Sequence, residues 1–266
     1  MIEQHWGLAR RAFANTPDPD FVYRSSAFAE GLARLLYDAT QLRGGLSLIT
    51  GEIGCGKTML AQAFAAELAG SPSDVIVLRY PKVTPAQLLD TLARGVGLES
   101  PPRGKLPLIE ALGRQLAELH RNARRPVLVV DEAQLASPSL LEEIRLLTNF
   151  EDRQDKHLHV VLLGQPELRD RVRRRLQIDQ RVSLRFHVEP METDDVRGYV
   201  EHRVRVAGGD ATRIFSREAV DTLAERSAGV PRRVNTLATQ SLFVGAMRAL
   251  HQIDAELVRD VADDQV

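Results

Sequence analysis

The feature that most constrains the fold is a glycine-rich segment between an apolar run and an alanine-rich run. Residues 46–50 (LSLIT) are typical of a buried strand, residues 51–58 read GEIGCGKT, and residues 58–69 are typical of a helix. This is the pattern G-x-x-x-x-G-K-[ST] in the strand–loop–helix setting that it requires. The glycines let backbone N–H groups turn inward around phosphate, and the helix N-terminus adds partial positive charge. The segment predicts a binding site for a nucleoside triphosphate.

Two side chains of this loop have expected roles. Lys57 is predicted to contact the β- and γ-phosphates, and the Thr58 hydroxyl is predicted to ligate Mg²⁺. Cys55 has two interpretations: its thiol provides redox control of nucleotide binding, or it is only a small residue that fills the loop. The second interpretation is favoured. The predicted nucleotide-binding residues are Gly51, Glu52, Ile53, Gly54, Cys55, Gly56, Lys57, Thr58 and Met59.

A second apolar run ends in two carboxylates. Residues 126–130 (PVLVV) are typical of a central parallel strand, and Asp131 and Glu132 follow them. Asp131 is expected to hold Mg²⁺, directly or through water, beside Thr58, and Glu132 to orient and deprotonate a water that attacks the γ-phosphate. An Asp-Glu pair is often only the solvated end of a strand, but its position after a phosphate loop favours catalysis. The predicted cofactors are ATP and Mg²⁺, and the predicted reaction is ATP hydrolysis.

Strands and helices alternate up to about residue 189, which predicts an α/β fold with a parallel, doubly wound sheet. Beyond Glu189 only helices are predicted. We therefore divide the chain into an N-terminal segment and helix (1–45), a core (46–189) and a small helical domain (190–266). The other predicted strands are 74–80, 158–163 and 182–188, and the predicted helices of the first two parts are 26–43, 58–69, 85–95, 108–123 and 138–150.

Composition and the N-terminal sequence argue against a disulfide-linked, a membrane-spanning and a secreted protein. A single cysteine permits no internal disulfide, no apolar run approaches the length of a membrane span, and the N-terminus lacks a leader pattern. We expect a cytoplasmic chain with no membrane insertion. The seven histidines show no metal-ligand spacing, and His157 and His159 are interpreted as the entrance to a strand.

One segment is densely basic although the formal net charge of the chain is only -1. It contains Arg169, Arg171, Arg173, Arg174 and Arg175. Two interpretations are open: contact with the phosphate backbone of double-stranded DNA, or ion pairs at a subunit interface and cover for a helix face. The second is slightly favoured, because no base-reading motif accompanies the segment.

The phosphate loop, the Asp131-Glu132 strand end and the helical C-terminal part together resemble a AAA+ ATPase. Within that class the chain resembles the ExeA-type (general secretion pathway A) ATPases over nearly its whole length. That resemblance implies a P-loop NTPase fold with a three-layer αβα parallel sheet, followed by an all-helical lid. Further residues that carry it are Trp6–Leu8, Phe13, Pro17–Pro19, Arg145–Glu151, Gly164–Leu168, Gln180–Val182 and Gly229–Asn235.

The resemblance implies further site residues. Gln165 matches a polar sensor of the γ-phosphate, and its alternative role is to cap the helix that begins near Glu167. Arg181 matches an arginine finger that acts on the ATP of a neighbouring subunit. Arg232, with Arg233 as the adjacent candidate, matches a sensor arginine of the same subunit. Residues 13–23 are expected to cover the adenine.

It also implies a homo-oligomer, a ring or filament that assembles or loads a partner protein of a secretion or envelope machine. We expect a stand-alone ATPase module, without the membrane span and peptidoglycan-binding domain of full-length relatives. The alternative function is a DNA-bound helper ATPase of a transposition system, of the Mu B or TnsC type. A non-catalytic scaffold is disfavoured by Glu132 and Arg181.

Overall fold

The computed structural model describes residues 2–16, 18–42, 44–68, 75–153 and 155–264. Predictions that fall on Pro17, Arg43, Ala69 and Asp74 lie outside these residues. The strands are β1 (Leu46–Gly51), β2 (Val75–Leu78), β3 (Val127–Val130), β4 (His159–Gly164) and β5 (Val182–Val188). The α-helices are α1 (Ile2–His5), α2 (Ser26–Tyr37), α3 (Lys57–Glu67), α4 (Pro85–Gly95), α5 (Lys105–Arg121), α6 (Pro138–Leu147), α7 (Pro166–Arg173), α8 (Leu176–Asp179), α9 (Thr193–Val206), α10 (Ala211–Ile214), α11 (Arg217–Ser227), α12 (Pro231–Met247) and α13 (Ala255–Asp263).

The chain divides into two units, and each is described by itself. One unit comprises Gly31–Glu52 and Leu60–Val188, and it contains the sheet. The other comprises Met1–Glu30, Ile53–Met59 and Glu189–Val266, and it contains the C-terminal helices. We call them the sheet unit and the helical unit. The predicted boundaries at residues 45 and 189 stay a prediction.

The sheet unit confirms the predicted parallel sheet. Five strands pair in the order β2-β3-β4-β1-β5, and every pair is parallel. Leucines of α4, α5 and α6 pack with Leu46, Leu128 and Val160 in one core. Alternate residues such as Ile49 and Val129 point to the opposite face and are also fully buried. Because both faces are buried, the strands read as unbroken apolar runs, which is why the sequence pattern identified them.

Side-chain caps explain where several helices begin, among them α4, α6, α11 and α13. α4 begins as predicted, because the Thr84 hydroxyl accepts from the Gln87 N–H and the Gln87 side chain accepts from the Thr84 N–H in a capping box. α6 ends at Leu147 rather than at the predicted Phe150. The Phe150 carbonyl instead accepts a hydrogen bond from the His157 N–H at 2.8 Å, which draws the chain into the next loop.

The helix predicted over residues 26–43 is also shorter than expected. α2 ends at Tyr37, and a π-helical turn follows over Asp38–Leu42. Arg125 donates to the carbonyl oxygen of Ala39 at 2.7 Å, and the Ser47 hydroxyl donates to the buried Asp38 carboxylate at 2.6 Å. Both contacts come from outside the turn, and the turn is a short π-helical segment of the kind that occurs within or at the ends of α-helices.

The helical unit confirms the predicted all-helical C-terminal part and joins it to the N-terminal segment. Its core combines Trp6, Phe13 and Phe21 with apolar residues of α9, α11, α12 and α13. The Trp6 indole N–H donates to the carbonyl oxygen of Leu242 at 2.9 Å. The two ends of the chain therefore share one hydrophobic core.

A buried arginine fixes the N-terminal segment in this unit. Arg203, in α9, is 6% exposed and donates from Nε to Ala12 O at 2.6 Å and from Nη2 to Ala14 O at 2.9 Å. Its Nη1 donates to the Tyr199 hydroxyl, which donates in turn to Asn235 at 2.8 Å. Satisfied hydrogen bonds of this kind are what makes a buried charge tolerable.

Within the described residues, no helix combines the length and apolar character needed to cross a lipid bilayer.

Candidate nucleotide-binding site

Three strands of the sheet unit end side by side in the residues that the sequence singled out. β4 lies between β1 and β3, with Thr50 beside Gly164 and Val130 beside Leu162. Because neighbouring parallel strands end at the same edge, the start of the phosphate loop, the Asp131-Glu132 pair and Gln165 all follow this edge. In open α/β sheets the carboxyl edge is where ligands bind. The sheet therefore brings the predicted chemical groups of this unit together.

The two carboxylates after β3 lie in different environments. Asp131 is 7% exposed, and its Oδ1 accepts a hydrogen bond from the Glu132 N–H at 2.9 Å. Glu132 is partly exposed and has a left-handed backbone with φ of 51°. A non-glycine residue in this region costs about 1 kcal/mol or more and is typical of functional sites. The turn separates a buried carboxylate suited to a metal from an accessible one suited to a water molecule.

Gln134 is a site residue that sequence reasoning missed. Its Nε2 donates to Glu132 Oε2 at 2.6 Å, and its Oε1 accepts from the Gln165 N–H at 3.2 Å. One amide side chain thus connects the ends of β3 and β4. The only sequence signal was its place two residues after Glu132. Gln165 occupies the N-cap position of α7, but its side chain makes no capping hydrogen bond, so the structure does not support the alternative capping role.

The basic segment divides into two groups. Arg171 donates to the carbonyl oxygens of Gln134 and Ala136, the latter at 2.6 Å, and so holds the short turn after Glu132. Burial lowers the pKa of Arg171, and the nearby Arg175 lowers it further. The exposed members are Arg169, Arg173 and Arg174.

The phosphate loop itself belongs to the helical unit from Ile53 onward. Gly54 and Gly56 have φ of 88° and 93°, a region that favours glycine. A Cβ atom at Gly54 would lie 2.7 Å from the Cβ atom of Arg232, so glycine is also required for space. Lys57 is 7% exposed and opens α3, and Thr58 follows it, partly exposed.

The two candidate sensor arginines differ in their contacts. Both are exposed and lie in the first turn of α12. The Arg232 N–H donates to the carbonyl oxygen of Gly54 at 3.4 Å, so this residue lies against the phosphate loop. The Arg233 guanidinium instead donates to Arg226 O at 3.4 Å. The geometry therefore favours Arg232 over Arg233.

Arg181 lies at the other edge of the sheet. It immediately precedes β5, whose seven residues extend roughly 20 Å at 3.3 Å per residue. It is partly exposed. The length of β5 therefore places Arg181 far from Asp131, Glu132 and Gln165 of its own chain. Burial lowers the pKa of the nearby Lys156, and the positive charges of Arg181 and Arg125 lower it further.

The rings expected to cover the adenine are mostly in the helical core. Phe13 is 3% and Phe21 6% exposed, whereas Tyr23 is half-buried. Tyr23 packs edge-on against Tyr199 with ring centroids 6.0 Å apart. Of these three rings, Tyr23 is the one with exposed surface.

Comparisons with known proteins show which family the chain resembles. The family model described as "AAA domain" matches residues 41–172. General secretion pathway protein A of Aeromonas hydrophila is 37% identical over 257 residues, which are 95% of this chain and 46% of that protein. The chain thus spans less than half the length of this relative.

Two solved structures share the fold at low identity. The ORC2 protein of Aeropyrum pernix, solved as ADPNP-ADP complexes, gives a TM-score of 0.69 at 18% identity, covering 96% of this chain and 71% of that one. The ORC1 protein of the same organism, solved in complex with DNA, gives a TM-score of 0.65 at 18% identity, covering 96% of this chain and 69% of that one.

The parallel sheet, the phosphate loop and the helical C-terminal part define a AAA+ ATPase, so the predicted fold class is confirmed. The closer likeness lies with general secretion pathway protein A. The chain belongs to the ExeA-like family of AAA+ ATPases.

Proposed function

We propose that this chain binds ATP with Mg²⁺ and hydrolyses it to ADP and phosphate. The observation that carries the proposal is the shared sheet edge, where β1 leads into the phosphate loop, β3 into Asp131-Glu132 and β4 into Gln165. Phosphoryl transfer needs positioned cations, a metal and an oriented water; Lys57 would supply a cation, and the carboxylates and Gln165 would hold a metal and orient a water.

The proposed roles follow from the chemistry of each side chain. Residues 51–59 bind the phosphates through backbone N–H groups, and Lys57 adds its positive charge. Thr58 and Asp131 hold Mg²⁺, which neutralises charge on the phosphate oxygens when it is bound. Glu132 accepts a proton from the attacking water, and Gln165 orients that water or the γ-phosphate. Gln134 positions Glu132 through the hydrogen bond at 2.6 Å.

We further propose that the active unit is a homo-oligomer. The roughly 20 Å length of β5 separates Arg181 from the carboxyl edge of its own sheet, which supports action on the ATP of a neighbouring subunit. Arg232, which contacts Gly54 through its backbone, serves the ATP of its own chain. Rings and filaments both repeat such a head-to-tail contact.

The proposed biological role is assembly or loading of a partner complex. The likeness to general secretion pathway protein A supports a role in secretion or envelope assembly, with this chain working in the cytoplasm. The alternative is a DNA-bound helper ATPase. The exposed Arg169, Arg173 and Arg174 of the basic segment favour it, as does the likeness in fold to an ORC1 protein solved with DNA.

Release of phosphate from ATP by the purified chain tests the proposal. We expect turnover with Mg²⁺ and none after EDTA removes the metal, because the phosphate charge is then left unneutralised. Turnover that persists in EDTA would contradict the role of Mg²⁺, and no turnover in any oligomeric state would contradict hydrolysis.

Double-stranded DNA separates the two biological roles. Stimulation by DNA that falls steeply with salt would support the helper ATPase, because phosphate contacts release counterions. Indifference to DNA would support the secretion role.

A substitution of Gln134 tests its positioning role. We expect Gln134→Ala to lower kcat for ATP about tenfold with little change in KM, because Glu132 loses its orienting bond while the phosphate loop is untouched. Steady-state kinetics measure this split. Gln177→Ala, an exposed glutamine of α8, is the control. A raised KM with unchanged kcat would show that Gln134 acts in binding instead.

A further inference from the structure

Four titratable side chains meet at the edge of the sheet opposite Asp131. His120 lies at the end of α5, and Asp152, Asp155 and His157 lie in the loop between α6 and β4. Because α5 leads into β3 and this loop leads into β4, the group lies where these strands begin. We call these four residues the His-Asp cluster.

The loop that carries three of these residues is closed by its own backbone. The His157 N–H donates to Phe150 O at 2.8 Å, and the Asp152 N–H donates to Asp155 O at 3.0 Å. The Asp155 N–H donates back to Asp152 Oδ1 at 2.9 Å. This last bond fixes the Asp152 carboxylate so that its other oxygen faces both histidines.

The facing atoms have the separations of ligands around one small ion. Asp152 Oδ2 lies 3.2 Å from His157 Nε2 and 3.7 Å from His120 Nε2. Asp155 Oδ2 lies 3.8 Å from His120 Nε2. Tetrahedral zinc with bonds of about 2.0–2.1 Å places its ligand atoms about 3.3 Å apart. The ligand atoms of His120, Asp152 and His157 all lie within 4.8 Å of one another, close to that geometry.

Burial makes the cluster more than a chance meeting of surface charges. The side chains of His157, Asp155 and His120 are 10%, 14% and 24% exposed, and only Asp152 is half-exposed, at 49%. The two imidazole rings stack with centroids 4.6 Å apart. Two imidazole nitrogens and a carboxylate oxygen in a partly buried site are a ligand set that suits zinc and disfavours Mg²⁺.

We propose that the His-Asp cluster binds one Zn²⁺ ion. His120, Asp152 and His157 are the ligands, and Asp155 adds negative charge beside His120. The ion joins the end of α5 to the loop before β4, so its role is structural and separate from the nucleotide. The sequence showed no such spacing because 31 residues separate His120 from Asp152, and only the packing of α5 against this loop brings them together.

Zinc binding by the full chain tests the proposal. Calorimetry in excess Mg²⁺ should show one Zn²⁺ bound per chain. Zn²⁺ should also raise the melting temperature, which Mg²⁺ alone should not do, because an ion that binds only the folded state stabilises it. His120→Gln should weaken zinc binding at least about 100-fold, the upper range seen even for outer-shell changes. Asp155→Asn keeps the backbone bonds of the loop and should weaken binding less.

The matched control is His251→Gln, which changes an exposed histidine of the helical unit and should bind zinc like the parent chain. Equal zinc affinity in the parent chain and both cluster variants would overturn the proposal. So would the absence of any zinc-dependent stabilisation, since the four residues would then form only ion pairs. If His120→Gln does not fold, the Asp155→Asn variant decides.

Discussion

Glu132→Gln is expected to slow ATP hydrolysis about 10²–10⁴-fold, the usual contribution of a general base, while ATP still binds. An amide cannot accept the proton of the attacking water, but it is nearly the same size as the carboxylate. The phosphate loop and Asp131 are unchanged, so affinity for ATP should stay close to that of the parent chain. Single-turnover phosphate release and binding of a fluorescent ATP analogue measure the two quantities separately.

The matched control is Glu99→Gln, which removes one carboxylate from an exposed loop of the same unit. It should leave both quantities unchanged. Lys57→Ala provides the opposite pattern, because losing the charge at the phosphates should abolish binding itself. Parental turnover by Glu132→Gln would contradict the role of Glu132 and would point to another group as the base.

Arg181→Ala is expected to lower kcat about 10³-fold or more, the range found for arginine fingers. The reason is geometric: Arg181 lies before β5, at the edge of the sheet away from Glu132, which supports the proposal that it serves an ATP held by a neighbour. ATP binding by the variant chain should persist. Arg185→Ala is the control, since it removes a neighbouring arginine that pairs with Asp179 at 2.9 Å.

Mixing two inactive variants tests action between subunits. An Arg181→Ala chain binds ATP but supplies no finger, and a Lys57→Ala chain binds no ATP but carries Arg181. Mixed oligomers should therefore recover part of the activity, with a maximum at an intermediate ratio. No recovery at any ratio, in mixtures shown to co-assemble, would count against a finger acting between subunits.

The sheet and the phosphate loop were predictable from sequence because their signals are local. A strand buried on both faces reads as an unbroken apolar run, as in residues 127–130, and a phosphate loop needs glycine at fixed spacing, as at Gly51 and Gly56. The capping box at Thr84 is equally local. Such patterns involve residues a few positions apart, so they can be recognised in the sequence without knowing how the chain packs.

The remaining features depend on contacts between distant residues. The π-helical turn at Asp38–Leu42 is contacted by the distant Arg125, and the preference for Arg232 over Arg233 as the sensor candidate rests on the contact of Arg232 with Gly54. Gln134 stands near Glu132 in the sequence, but its link to Gln165 exists only because β3 and β4 are neighbours. The type of one residue does not indicate which distant residue it contacts, so these contacts could not be predicted from the sequence.

The shared core of the helical unit also bears on how the protein is made. Trp6 and Phe13 leave the ribosome before their partners in α9–α13, which begin about 180 residues after Phe13, a delay of roughly 10–40 s at usual translation rates. During that time these aromatic side chains lack their native neighbours and are a target for chaperones. Because residues 53–59 belong to the same unit, a nascent chain completes the fold around its phosphate loop only after α9–α13 have been made.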